Sequence, residues 1–316
     1  MRPLVRQHRH RVDAQCPCFE LRTETNLASR RNRRGRARLF RLQLSGFKTG
    51  EIERRGRKVT LGPTAASIGD DVVYIGNRGD ATLCVIDAKT LACGECVPLS
   101  TDYSITPDGV LYVAATKEVW ITTRPVSSSN VEAAKALQVF DASDPRHLKR
   151  KTKTPLDGLG EGYAADNGRG LFYTNVEGTG TTVAVDMRTK KIVSKWNPGS
   201  ADVGGLALDS ARRFLFVACR DHVVNLDAGH DGKIIDSLLT GAGLDNIDYS
   251  ADRKIIYAAA EQAATLTIAE VGDDGKFHLK ATVPTVKGAR SVVAGKGETA
   301  YLIDPAEGRI LKLIRK

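Results

Sequence analysis

The chain has 316 residues, of which 41% are hydrophobic and 27% are charged, and its formal net charge is +10. This length is enough for two average domains, or for one large repeat fold with a sizeable buried core. No uninterrupted apolar run of about 18 residues occurs, so no transmembrane helix is predicted, and the basic N-terminus lacks the apolar core of a secretory signal peptide.

The positive charge belongs to the first part of the chain. Residues 1–57 contain 15 Arg and 1 Lys against 5 acidic residues, whereas residues 58–316 contain 31 basic and 32 acidic residues. We therefore predict a basic Arg-rich extension at 1–57, expected to be disordered, followed by a near-neutral folded body at 58–316. The extension could bind a polyanion such as nucleic acid, but the neutral body gives no reason to expect nucleic acid there.

An aromatic residue recurs in the body at a nearly constant interval. Successive aromatic anchors are 46, 53, 43, 41 and 44 residues apart. After each anchor comes a short turn, and the next strand commonly ends in an acidic residue, as at Asp87, Asp141 and Asp186. A regular period of this length is typical of repeat folds. The six anchors are Tyr74, Trp120, Tyr173, Phe216, Tyr257 and Tyr301.

Each repeat resolves into short alternating segments that are separated by turn residues, which predicts four strands per unit. The helix formers at Val131–Leu137 lie in the longest interval and are interpreted as an insertion with one turn of helix. A period in the forties, four strands per unit and little helix predict an all-β β-propeller. In that fold, blades packed face to face bury both faces of each sheet.

Six repeats can be counted, and the last one lacks a fourth strand before the chain ends. Val59–Leu61, at the start of the body, is predicted to supply this strand and to close a six-bladed ring. A seven-bladed ring would need a further blade built from residues before about 57, where too few strands are predicted.

The repeat resembles that of the YVTN-repeat (YncE-like) β-propellers, a family that is itself similar to the haem-binding propeller of cytochrome cd-type nitrite reductases. The resemblance covers roughly residues 58–316 and rests on two clear copies of the motif. In the first, Tyr74–Asn77 leads to Val85–Asp87, and in the second, Phe172–Asn175 leads to Val183–Asp186. These are blade-building positions, so they specify a fold rather than a chemistry.

The resemblance implies a seven-bladed and usually exported, periplasmic bacterial protein without established catalysis, in some cases described as DNA-binding. This chain departs from that pattern because six repeats can be counted and no export signal is visible. The choice between six and seven blades therefore stays open at this point, with six favoured by the repeat count.

Binding sites in propellers usually lie at one end of the central channel, close to the start of each innermost strand. Carboxylates that converge there could hold a hard cation, whereas Arg290 could orient an anionic ligand. The alternative is that these side chains are only the polar ends of strands in a wet channel. The candidates are Glu161, Tyr163, Asp202, Asp245, Asn246, Asp248 and Arg290.

No nucleophile elbow or metalloprotease motif occurs, so the leading hypothesis is a monomeric, non-enzymatic propeller without a cofactor. It would bind a small ligand or a protein partner at the channel mouth. A metal-dependent lactonase-type hydrolase is the alternative. Six-bladed lactonases place a Glu, an Asn and an Asp around one divalent cation, and Glu161, Asn246 and Asp248 supply those residue types without a matching motif.

Two of the six cysteines are predicted to form a disulfide. If the hairpin Leu83–Leu99 turns near Thr90, Cys84 and Cys96 fall opposite each other on adjacent strands. Such a bond would indicate an oxidising compartment. The alternative is that both cysteines are small buried residues.

Overall fold

The computed structural model describes residues 19–23, 47–54 and 57–315. The strands before the second blade are β1 (Phe19–Thr23), β2 (Gly50–Arg54), β3 (Arg57–Leu61), β4 (Pro63–Gly69), β5 (Val72–Asn77), β6 (Thr82–Asp87) and β7 (Cys93–Pro98). The strands of the next two blades are β8 (Ile105–Val113), β9 (Glu118–Pro125), β10 (Ala136–Asp141), β11 (Lys149–Pro155), β12 (Leu159–Asp166), β13 (Leu171–Glu177), β14 (Thr181–Asp186) and β15 (Ile192–Trp196).

The remaining strands are β16 (Val203–Asp209), β17 (Phe214–Cys219), β18 (His222–Asp227), β19 (Lys233–Leu239), β20 (Leu244–Ser250), β21 (Ile255–Ala260), β22 (Thr265–Val271), β23 (Phe277–Pro284), β24 (Val292–Ala294), β25 (Ala300–Asp304) and β26 (Arg309–Arg315). A 3-10 turn at Ser128–Asn130 and the short helix α1 (Val131–Ala134) lie between β9 and β10. The helix falls inside the predicted insertion, whose last two residues begin β10.

These strands form six four-stranded antiparallel sheets, which are the blades of a six-bladed β-propeller. Blades 1 to 5 consist of β4–β7, β8–β11, β12–β15, β16–β19 and β20–β23, each in sequence order from the inside outwards. Blade 6 has the order β24, β25, β26 and then β1. Successive inner strands from β4 to β24 contact one another around the central channel. The predicted fold class is therefore confirmed.

The acidic residue at the end of the third strand closes the turn that follows it. Asp186 Oδ1 accepts hydrogen bonds from the backbone N–H groups of Thr189 and Arg188, at 2.6 and 3.1 Å. Asp87 Oδ1 accepts in the same way from Thr90 and the residue before it. These bonds hold the pKa of both carboxyl groups below the ordinary value, and they explain why the acid recurs in the repeat.

The aromatic anchors fill the interfaces between blades. Five hydrophobic clusters, each shared by two neighbouring blades, occupy the interfaces from blades 1 and 2 to blades 5 and 6. Burying one such aromatic side chain contributes roughly 1.5–3 kcal/mol. Among the described residues, no corresponding cluster joins blade 6 to blade 1. The five buried anchors are Tyr74, Trp120, Tyr173, Phe216 and Tyr257.

The strand that completes blade 6 is not the predicted one. Phe19–Thr23 pairs antiparallel with β26, whereas Val59–Leu61 belongs to β3 and pairs with β2. Only Gly62 separates β3 from β4, although the other links between an outer strand and the next inner strand have three to seven residues. The segment Val59–Leu61 therefore cannot lie at the outer edge of blade 6 while β4 lines the channel.

The rest of the predicted extension falls mainly on residues outside the described ones, so the division at residue 57 stays a prediction. The strand β1 lies before that boundary and takes part in blade 6. No helix among the described residues is long and apolar enough to cross a membrane.

Cys84 and Cys96 lie directly opposite each other in β6 and β7 and are joined by a disulfide. The turn between these strands contains the predicted position, Thr90. The bond links the third and fourth strands of blade 1 and restricts the unfolded chain over a short loop. The oxidising compartment that it suggests stays a prediction.

Candidate functional site

Five of the six inner strands carry a β-bulge near their first residues. The register of β4, β8, β12, β16 and β20 against the second strand shifts at this point in each of blades 1 to 5. A bulge re-aims the side chains beside it, and it is common next to binding sites. Because the strands are antiparallel, the inner strands begin where the second strands end, and we call this end of the channel the mouth.

The bulges place acidic side chains beside arginines of neighbouring blades. Asp108 lies within the bulge of β8, and its carboxylate pairs with Arg124 of the same blade at 2.9 Å and with Arg78 of blade 1. Glu161, at the bulge of β12, pairs with Arg124 across the interface between blades 2 and 3. Glu177, at the end of β13, pairs with Arg124 at 2.6 Å. These five side chains form what we call the mouth network.

The mouth network is partly shielded from water and carries an excess of negative charge. Its arginines and the carboxylates of Asp108 and Glu161 are between 17 and 23% exposed, whereas Glu177 is 42% exposed. Among the residues that the structure describes, these three carboxylates pair with two arginines, so the network has a formal charge of −1. Charge-assisted pairs in such a setting are stronger than those on an open surface, which contribute about 0–1 kcal/mol each.

The opposite side of the mouth holds three further predicted residues. Asp245, in the bulge of β20, pairs with Arg290 at 3.5 Å across blades 5 and 6, and both side chains are substantially exposed. The exposed Asp202 precedes β16, and its backbone carbonyl accepts a hydrogen bond from Arg220 N–H at 3.2 Å. The structure therefore places Glu161 and Asp245 at the mouth, each paired with an arginine, and their role in binding stays a prediction.

Tyr163 has a packing role that the sequence did not reveal. Its ring occupies the space in which a side chain at Gly109 of the neighbouring inner strand would otherwise lie. Burial raises the pKa of its phenol. Gly162 has a φ of +63° and approaches the backbone of Gly204 so closely that a Cβ would collide with it. This part of the channel wall is therefore closely packed, and the ring of Tyr163 is part of that packing.

Asp248 ties two inner strands together. Its Oδ2 accepts a hydrogen bond from Ala294 N–H of β24 at 2.8 Å, and burial raises the pKa of the carboxyl. Ser67 does the same in blade 1, since its hydroxyl accepts from Tyr112 N–H of β8 at 2.9 Å. Both Ser67 and Asp248 lie opposite the aromatic anchor of the blade. In these two blades the side chain at this position therefore makes a structural bond to a neighbouring inner strand.

The three residues considered for a metal have different surroundings. Glu161 belongs to the mouth network, Asp248 bonds the neighbouring backbone, and Asn246 lies between Asp245 and Ile247 in β20. Within the described parts of the chain, no group of three or more His, Cys, Asp or Glu side chains is arranged to hold a metal ion.

The sequence reasoning missed Arg78, Asp108, Arg124 and Glu177. A signal was present, because a charged residue stands within one position of the end of the second strand in each of blades 1 to 5. In order, these residues are Arg78, Arg124, Glu177, Arg220 and Glu261. The mouth is therefore lined from two strands per blade, and only one of them was considered.

No family model matches the chain, and no curated protein matches it significantly. The resemblance to the YVTN-repeat propellers therefore rests on the repeat residues, and what is established is the β-propeller architecture.

Proposed function

We propose that this chain is a non-enzymatic binding propeller whose mouth receives a cationic group of a small ligand or a protein partner. The observation that carries the proposal is the mouth network, in which Asp108, Glu161 and Glu177 pair with two arginines among the residues that the structure describes. The body as a whole has nearly equal numbers of acidic and basic residues, so this excess of carboxylates is local.

The geometry suits recognition of a cation better than recognition of an anion. Arg124 already faces three carboxylates, so an incoming anion would have to displace at least one of them. Glu177 is the most exposed member and can turn toward a cationic group without leaving a buried charge unpaired. An ammonium or guanidinium group would then complete the network with hydrogen bonds to carboxylate oxygens.

The test uses peptides of opposite charge as probes. Calorimetric titration of the full chain with a hexalysine peptide at low salt should show binding that weakens as salt is added. A hexaglutamate peptide should not bind. Glu177→Gln should weaken the binding of hexalysine by about fivefold, which corresponds to roughly 1 kcal/mol.

Glu270→Gln is the matched control. Glu270 is 44% exposed and paired with a lysine, as Glu177 is 42% exposed and paired with an arginine, but it lies at the other end of its blade. If both substitutions weakened the binding of hexalysine equally, the affinity would depend only on the net charge of the chain, and the proposal would be abandoned.

A further inference from the structure

The outer strand of blade 1 carries two cysteines in one short motif. Strand β7 begins with Cys93-Gly94-Glu95-Cys96, and Cys96 forms the disulfide with Cys84 of β6. Cys93 lies outside that disulfide and is exposed. A pair of cysteines with this spacing is common in thiol–disulfide chemistry, but a regular strand places residues three positions apart on opposite faces. The position of the Cys93 side chain therefore depends on how β7 pairs with β6.

A β-bulge in β7 brings Cys93 to the face that carries the disulfide. Cys84 lies opposite Cys96 and Ile86 lies opposite Cys93, with a register shift between the two pairs. Two residues of β7 therefore lie opposite the single residue Val85. Cys84 and Ile86 are two positions apart, so their side chains share one face of the sheet. Their cross-strand partners point to the same face, and Cys93 therefore lies beside the disulfide.

The bulge also brings the two cysteines of β7 within reach of each other. Three steps along a regular strand cover about 10 Å. In β7 the three steps from Cys93 to Cys96 match only two steps of β6, which cover about 6.8 Å. A disulfide joins Cα atoms that are up to about 6.8 Å apart. Diagonal neighbours on adjacent strands are about 7–8 Å apart, so Cys93 reaches Cys96 more readily than it reaches Cys84.

We propose that these three cysteines form a thiol–disulfide exchange site, in which Cys93 displaces Cys84 from Cys96. The thiolate of Cys93 attacks Cys96 Sγ, and a Cys93–Cys96 disulfide forms as the Cys84–Cys96 bond breaks. The electron pair of the broken bond leaves on Cys84, which takes up the proton that Cys93 has lost. No oxidant or reductant is consumed. Cys96 is the sulfur attacked because it lies in an exposed part of β7, whereas Cys84 is 3% exposed.

The same site accepts a small thiol such as glutathione. A glutathione thiolate that attacks Cys96 Sγ forms a mixed disulfide and releases Cys84 as a thiol. Cys93 then attacks the same sulfur, forms the Cys93–Cys96 bond and releases the glutathione as a thiol. Either route removes the covalent link between the third and fourth strands of blade 1. This inference does not depend on the cationic ligand proposed for the mouth.

Trypsin distinguishes the two disulfides of this site. Cleavage after Lys89 places Cys84 in one peptide, and it places Cys93 and Cys96 together in the peptide that ends at Lys117. The Cys84–Cys96 bond therefore links two peptides, whereas the Cys93–Cys96 bond lies within one. Mass spectrometry of a digest that has not been reduced then reports which bond is present.

The first experiment tests whether the second bond forms. The full-length Cys84→Ala variant, treated with oxidised glutathione, should contain the Cys93–Cys96 disulfide. Cys96→Ala is the matched control, in which the remaining diagonal pair, Cys84 and Cys93, should not bond to each other. A Cys84→Ala chain in which Cys93 and Cys96 stay separate thiols, or each carry a glutathione, overturns the proposal.

The second experiment follows the exchange in the protein with all its cysteines. The oxidised chain is treated with about 0.1 mM reduced glutathione, and its thiols are trapped with acid and N-ethylmaleimide. A thiol on the same chain acts at an effective concentration of roughly millimolar order, so the wild type should hold about tenfold less glutathione at Cys96 than the Cys93→Ser variant. Cys93 is exposed, so this variant keeps the core intact. Equal amounts of glutathione on the two proteins would overturn the proposal.

Discussion

Arg124 is the residue on which the mouth network depends most, and its removal is the sharpest test of that network. Its guanidinium lies 2.9 Å from Asp108 and 2.6 Å from Glu177, and it also contacts Glu161 of blade 3. The substitution Arg124→Met keeps most of the apolar stem and removes the charge. Asp108 then keeps Arg78, while Glu161 and Glu177 lose the arginine that they share in the described network.

The energy of a single pair can be bounded from its exposure. The side chains of Arg124 and Glu161 are 18 and 22% exposed, so this pair is intermediate between a surface pair and a fully buried pair. Exposed pairs contribute about 0–1 kcal/mol, and breaking a buried pair costs about 3–5 kcal/mol. We therefore expect a coupling energy of about 1–2 kcal/mol between Arg124 and Glu161, decreasing as salt is added.

A double-mutant cycle measures this coupling. The free energy of unfolding in urea is determined for the wild type, Arg124→Met, Glu161→Gln and the double variant. Arg253→Met is the control, since Arg253 is 53% exposed and lies 3.8 Å from Asp252 within a turn. Additive effects of the two substitutions, or a coupling that does not respond to salt, would show that the network is not an electrostatic unit.

Two further predictions concern stability, and one concerns the mouth. Burial raises the folded-state pKa of Asp248, so its ionisation destabilises the fold as pH rises through that pKa. The free energy of unfolding of Asp248→Asn relative to the wild type should therefore increase between pH 3 and pH 7, measured in urea; a constant difference contradicts the argument. Replacing Cys84 and Cys96 by alanine should cost about 3 kcal/mol, and a reductant should destabilise only the wild type. Tyr163→Phe should leave hexalysine affinity unchanged in calorimetry, because the ring packs inside the wall.

The fold could be predicted because each repeat carries the same short-range pattern of strand, turn and aromatic residues. The buried aromatic anchors and the turn-closing acids at Asp87 and Asp186 recur at fixed spacing, and each has a physical role within its own blade or toward the next. The strand that completes blade 6 could not be predicted in this way. Pairing at a sheet edge depends on backbone hydrogen bonds that many segments can make, and the link length at Gly62 was not weighed.

The candidate site was predicted in part for a similar reason. Glu161 and Asp245 were found because they stand near the start of inner strands. The spacing of the repeat shows where each inner strand begins. Arg78 and Arg124 were missed because the prediction used the inner strands, whereas these arginines stand at the ends of second strands and pair across strands and blades. The structural role of Asp248 was also missed, since its carboxylate, like the hydroxyl of Ser67 in blade 1, bonds a neighbouring inner strand.

The central claim is that the mouth, and not another acidic surface, receives a cationic partner. Hydrogen exchange of the backbone amides with and without hexalysine locates the contact directly. Our account predicts slower exchange in the turns at the mouth, at residues 78–81, 126–130 and 178–180, which follow β5, β9 and β13. Slower exchange confined to the turns at the opposite end, at residues 70–71, 114–117 and 167–170, would contradict it.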